Sequence, residues 1–185
     1  MDKVDETVQY LRDKGVTGPS VGVILGTGLG KLIKHLHVDL TIDYAEIPNF
    51  PVSTVEFHKG RLVVGHMNSK KLIAMQGRFH YYEGYSLQEI TFPVKVMHKL
   101  GISSLLISNA GGALNLDFPK GTIMLIDDHI NLLPGNPLTG PNDDKLGPRF
   151  PDMSEPYDPR LNELFRQIAR ELNVSLHEGV YVAVP

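Results

Sequence analysis

Apolar positions along this chain recur with two periods, one helical and one extended, and the alternation between them predicts the elements. Val4, Val8 and Leu11 share one helical face in a segment that starts near Asp2 or Asp5 and stops at Gly15. Val21-Gly22-Val23-Ile24-Leu25 is a continuous apolar run, read as a buried strand, and it leads into Gly26-Thr27-Gly28-Leu29-Gly30 and the helix-compatible Lys31-Leu32-Ile33-Lys34. Arg61 to Met67 and Lys70 to Met75 read as two strands joined through Asn68-Ser69. Ser86-Leu87-Gln88-Glu89 has the form of a capping box, with Tyr85 and Ile90 as its staple, and opens a helix that runs to Leu100 before Gly101. Pro93 lies too deep for a first turn, so a kink or a later start is expected there.

Ile102 to Ile107 reads as another buried strand, ending in a second glycine-rich turn, Ser108-Asn109-Ala110-Gly111-Gly112-Ala113. Gly121 to Ile126 and Gly179 to Val184 read as further strands, and the Pro-, Gly-, Asn- and Asp-rich stretch from Asn131 to Pro159 as a long ordered loop. Asp158 and Pro159 open a helix whose stripe, Leu161, Leu164, Phe165, Ile168, Ala169 and Leu172, should be buried. Strands alternating with helices imply an α/β fold, and the hairpin makes the sheet mixed. The expected architecture is one domain over residues 1–185, a mixed twisted β-sheet flanked by helices on both faces.

Composition narrows the function classes. A chain of 185 residues with 42% hydrophobic and 21% charged residues is ordinary for a globular protein. A formal charge of −3 gives no global attraction for nucleic acid or an anionic membrane, so any anion binding must be local. No apolar run reaches the length of a membrane span, and the opening residues lack a signal-peptide layout; a cytoplasmic protein is expected. The absence of cysteine excludes disulfides and thiolate chemistry. His35 and His37 lie on a strand or a helix with no nearby ligand set, and Asp128 with His129 reads as a strand-end hydrogen-bonding pair, so no metal site is expected.

Candidate chemistry concentrates in Gln76-Gly77-Arg78-Phe79-His80-Tyr81-Tyr82-Glu83-Gly84-Tyr85. Arg78 brings a permanent charge and a planar donor fork, and His80, two residues on, reaches the same side of an extended segment. Two cationic donors on one side point to an anion. Glu83 is placed to orient the His80 ring, and the tyrosines offer flat faces with polar tips for a sugar or base. The first glycine turn fails both nucleotide fingerprints: Lys31 stands where the dinucleotide motif needs Gly or Ala, and Leu25 and Leu32 break the phosphate-loop pattern. What remains open is a turn that cradles an anion with its backbone N–H groups and the Thr27 hydroxyl, or one whose glycines only permit close packing.

These strings, together with Phe50-Pro51-Val52-Ser53-Thr54-Val55 and His58, Thr91-Phe92-Pro93-Val94, Asn109-Ala110-Gly111-Gly112, Asp128-His129-Ile130-Asn131, Asn136-Pro137-Leu138, Gly140-Pro141-Asn142 and Arg149-Phe150-Pro151-Asp152-Met153-Ser154, resemble the trimeric type of purine nucleoside phosphorylase. The match runs in register over nearly the whole chain. The resemblance implies that Thr27, His58, Arg78, Phe79, His80 and the backbone at Ala110 hold phosphate, with His80 and Glu83 the catalytic pair. It further implies that Tyr82, Asn109, Ala110 and Gly111 meet the nucleoside, and that Phe150 reaches the site of a neighbouring subunit in a homotrimer. The implied reaction is reversible phosphorolysis of purine nucleosides in purine salvage, with inorganic phosphate as co-substrate and no cofactor. Members of the family continue past the position of Pro185 with base-recognising residues, so the chain reads as an N-terminal portion. A phosphate- or nucleoside-binding fragment without turnover is the alternative.

Overall fold

The computed structural model describes residues 2–52 and 60–185, which fall into two compact units, Met1–Ala110 and Gly111–Pro185. The first unit opens with α1 (Lys3–Asp13), capped by the Asp2 side chain, which accepts from the Asp5 N–H at 2.8 Å. It continues through β1 (Val21–Leu25), a 3-10 segment (Leu29–His35), β2 (His37–Asp43), β3 (Arg61–Met67), β4 (Lys70–Gln76), a 3-10 turn (Tyr81–Glu83), α2 (Leu87–Leu100) and β5 (Ser104–Ile107). The five strands form one mixed sheet in the order β2-β3-β4-β1-β5, antiparallel across β2, β3 and β4 and parallel across β4, β1 and β5.

Strand parity explains the continuous apolar runs. Ile24, Leu62, Val64, Ile73 and Met75 face α1 and α2, where they meet Val8, Leu11, Val96, Met97 and Leu100. Their neighbours Val23, Leu25, Leu72 and Ala74 face the other way and pack with Leu36 and Ile33 at the end of the 3-10 segment. A strand covered on both faces must be apolar at successive positions rather than at alternate ones. Thr7 is the exception on α1: fully buried, it donates its hydroxyl to the Pro48 carbonyl at 2.7 Å.

Three expectations shift in this unit. The strand β2 was not foreseen, although Val38, Leu40 and Ile42 alternate; it is an edge strand with a bulge between Val38 and Leu40, and only Ile42 is buried. His37 therefore lies on a strand and His35 at the end of the 3-10 segment. The strand after α2 is shorter than Ile102 to Ile107. The second helix starts at Leu87 and runs through Pro93, so no later start occurs; the Ser86 and Glu89 capping box fixes its beginning, and Gly101, at φ +100°, ends it.

The second unit contains β6 (Ile123–Asn131), α3 (Pro159–Glu171) and β7 (Leu176–Ala183), with β6 and β7 paired in parallel. As expected, the connection from β6 to α3 is a long loop, built on side-chain turns at Asn131, Asn136, Asp143 and Asp152. β6 is longer than residues 121–126: it passes a bulge at Asp127 and carries Asp128 and His129 within the strand. The α3 stripe is less buried than its pattern implies. Ala169 is buried, but Leu164 is 49% exposed and Phe165 42%, because a two-stranded sheet offers too little apolar surface to cover them. Among the described residues no helix is long and apolar enough to cross a membrane.

Asp158 caps α3, and the hydrogen bond from the Arg160 side chain holds its carboxyl at about 2, below its ordinary 3.8. A depressed carboxylate contributes stability that is present above the ordinary value and is lost as pH falls through the folded one. A carboxyl-shift titration of Asp158 should therefore have its midpoint near 2, with the first turn of α3 loosening as pH falls from 3.8 towards it. A midpoint at 3.8 or higher would contradict the cap.

Candidate functional site

Parallel pairing brings three carboxyl ends together. Leu25, the last residue of β1, pairs with Gln76, the last of β4, and Ile24 pairs with Ile107, the last of β5. The segments that follow, Gly26-Thr27-Gly28, Gly77-Arg78 and Ser108-Asn109-Ala110, therefore leave the sheet side by side, at the kind of edge where open α/β sheets bind ligands. Ser108 joins two of them: its hydroxyl oxygen accepts the Gly26 N–H at 3.0 Å, and its own N–H reaches the Ile24 carbonyl at 3.0 Å. A Cβ on Gly26 would lie 2.5 Å from the Ser108 carbonyl oxygen, so only glycine allows this approach.

Arg78 completes the junction. Its guanidinium donates to the Ser108 carbonyl at 2.7 Å and contacts the His80 Nε2 at 3.4 Å. The backbone before it turns at Gly77, φ +110°, and the Gly77 carbonyl accepts from the buried Tyr44 hydroxyl at 2.7 Å. Burial pushes the Tyr44 phenol far above its ordinary value, so it remains a donor. Phe79 turns its ring into the core, 5.2 Å from Tyr44 and 5.9 Å from Tyr85 by ring centroids, so only its backbone faces outward with Arg78 and His80. Tyr85 is anchored in turn by a hydrogen bond from its hydroxyl to the Val52 carbonyl.

The Glu83 carboxylate accepts from His80 twice, from the ring Nδ1 at 2.7 Å and from the backbone N–H at 2.9 Å. Its side chain is almost wholly buried. With Nδ1–H committed to Glu83, the ring turns Nε2 towards Arg78, and Tyr82 stacks on its face at 4.8 Å. Tyr82 is itself exposed.

Thr27 borders an open cleft of about 660 Å³ that also touches Lys31, Arg61, Gln76 and Gly77. Arg78 and His80 are not part of its lining, so the junction at the strand ends, rather than the cleft by itself, defines the site. Asn109 and Ala110 follow β5 after Ser108, while Gly111 opens the second unit, with space for a Cβ 3.5 Å from the Tyr181 ring. Phe150, also in the second unit, is 86% exposed and has the Arg149 guanidinium 5.9 Å from its ring. His58 lies outside the described residues. His129, read from sequence as a partner of Asp128, donates its backbone N–H to that carboxylate at 2.8 Å and adds a ring contact to the Tyr157 hydroxyl at 2.5 Å. Sequence reasoning overlooked Tyr44, which belongs to no recognisable motif, and placed Ser108 in the second glycine-rich turn without a role; both act on backbone groups far away in sequence.

A profile of the phosphorylase superfamily matches residues 20–185. The chain belongs to that superfamily. It is 51% identical to purine nucleoside phosphorylase 1 of Geobacillus stearothermophilus over 97% of this chain and 66% of that protein. Against purine nucleoside phosphorylase 1 of Bacillus subtilis (strain 168) the identity is 46%, over 99% of this chain and 68% of that one. Among solved structures, isoform 2 of purine nucleoside phosphorylase from Schistosoma mansoni, in complex with cytosine and ribose-1-phosphate, superposes with a TM-score of 0.91 at 44% identity, covering 98% of this chain and 66% of that one. A second Schistosoma mansoni purine nucleoside phosphorylase structure, in complex with adenosine, gives the same TM-score at 40% identity, over 98% and 65%. The chain thus spans about two thirds of the length of these relatives.

Gly26→Ala tests the strand-end junction. The added methyl has the Ser108 carbonyl in its way and should cost roughly 1–3 kcal/mol, the range of an overpacked site. Urea unfolding of the two proteins measures it; an alanine variant as stable as its parent would show that the close approach is not required.

Proposed function

We propose that the protein carries out reversible phosphorolysis of purine nucleosides, ribo- or deoxyribo-, with inorganic phosphate as co-substrate, and that this chain supplies the phosphate seat. The observation that carries the reading is the convergence of Arg78, the His80 and Glu83 pair and the Ser108 to Ala110 turn beside Thr27 at three adjacent strand ends. Purine nucleoside phosphorylases at 46% and 51% identity support it. So do related structures described as complexes with adenosine and with ribose-1-phosphate.

In this reading the Thr27 hydroxyl, the Arg78 guanidinium, His80 and the Ala110 backbone N–H hold the phosphate oxygens, with His58 as a further donor. Hydrogen bonds to a charged group contribute about 1.5–3 kcal/mol each. With Nδ1–H committed to Glu83, Nε2 of His80 is the atom that exchanges a proton with the phosphate. A phosphate oxygen bonds to C1′ of the sugar as the C1′–N bond to the purine breaks. The proton carried by the phosphate balances the one gained by the departing base. The sugar passes through a state with oxocarbenium character, and an anion fixed beneath C1′ stabilises that charge and is already placed to trap it. No protein nucleophile and no cofactor enter the sequence. Tyr82, Asn109 and Gly111 serve the nucleoside, and Phe150 covers the sugar of a neighbouring subunit in a homotrimer. A role in purine salvage in the cytoplasm follows from the same reading.

Phosphate-dependent release of hypoxanthine from inosine tests the proposal. Release should require phosphate, and Arg78→Ala should lower kcat/KM for phosphate by about 10²–10³ while the variant still folds. Release without phosphate would exclude phosphorolysis. A folded chain that binds phosphate but releases no base would be a binding module.

A further inference from the structure

Gln76, 8% exposed, is a buried polar residue beside the site. It is the last residue of β4, paired across the ladders with Arg61 at the start of β3 and with Leu25 at the end of β1. Its side-chain oxygen accepts from the Arg61 Nε at 2.7 Å, which fixes the orientation of the amide and turns the NH₂ group the other way. That NH₂ donates to the Gly30 carbonyl at 3.1 Å, and a Cβ on Gly30 would lie 3.2 Å from it. One amide therefore links two strands, β3 and β4, to the far end of the glycine turn, and the next two residues along its own chain are Gly77 and Arg78.

We propose that Gln76 is a positioning residue for the phosphate site: it sets the 26–30 turn, and with it Thr27, at a fixed distance from Arg78. The proposal rests on the anion reading of the strand-end junction given above. Gln76 touches no reacting atom in this scheme. Two backbone-linked groups, the turn after β1 and the arginine after β4, must meet one small anion, and the strand register alone places only their starting points. The turn leaves β1 at Gly26, passes Gly28 at φ +85° and enters the 3-10 segment at Leu29, so a tether at Gly30 limits how far the Thr27 hydroxyl can move. Arg61 acts one step further back by locking which side of the amide faces Gly30.

Gln76→Met keeps the length and apolar volume of the side chain and removes both hydrogen bonds. The test titrates inorganic phosphate into the full chain and its Gln76→Met and Arg61→Lys variants by calorimetry, and follows amide hydrogen exchange at residues 28–31 on the same samples. Gln76→Met should raise the phosphate Kd by about tenfold, the equivalent of about 1.4 kcal/mol, and speed exchange at residues 28–31 while β3 and β4 exchange as before. Arg61→Lys, which keeps the charge but loses the planar fork, should shift both readouts in the same direction by less. Unchanged phosphate affinity in a folded Gln76→Met variant overturns the proposal alone, as does weakened affinity with no change in exchange at the turn. If Gln76→Met does not fold, Arg61→Lys decides: an unchanged Kd and unchanged exchange overturn the proposal. A parent chain that binds no phosphate overturns the anion reading and this proposal with it.

Discussion

The approach of the Gly26 backbone to the Ser108 carbonyl is the constraint on which the site depends. It exists because β1 sits between β4 and β5 with all three parallel, so that the turns leaving them compete for one small space. Only a residue without a side chain fits at Gly26, and the Ser108 hydroxyl then satisfies the N–H that the strand ladder no longer pairs. Arg78 donates to the carbonyl of the same serine, so its position follows from the sheet register rather than from its own flexible side chain. A cation held in this way has lost much of its rotamer freedom before any ligand arrives, which lowers the entropic cost of binding one.

A second layer of buried polar groups supports that junction from behind. The Tyr44 hydroxyl holds the Gly77 carbonyl, and Phe79 locks into the aromatic core next to it. Glu83 fixes His80 from two sides. Tyr44 supports the loop from a distant 3-10 turn, and Glu83 supports it from within its own, so both long-range packing and local structure hold it still. Partly open site groups on a closed scaffold are a common arrangement for residues that must be precise and still reachable by a ligand.

Much of this was legible in the sequence, for identifiable reasons. Continuous apolar runs with glycine stops located β1, β3 and β4, and the Ser86 and Glu89 box located the start of α2, because both signals act within a few residues. The density of charge and phenol from Arg78 to Tyr85 located the site itself. β2 escaped because an edge strand buries little, so three alternating apolar residues, of which only Ile42 is buried, make a weak signal. The extension of β6 through Asp127 to His129 escaped because its ladder tolerates exposed acids on a two-stranded sheet. Tyr44 and the roles of Ser108 and Gln76 could not be read, since each acts on backbone groups 33 to 82 residues away.

The most direct test of the central claim is an amide chemical-shift titration of this chain with inorganic phosphate. The strand-end account predicts saturable shifts at the amides of Gly26 to Gly28, Arg78 to His80 and Asn109 to Ala110, with the α1 and β2 amides unmoved. Shifts centred elsewhere in the chain, or none at millimolar phosphate, a generous concentration for a substrate site, would contradict it.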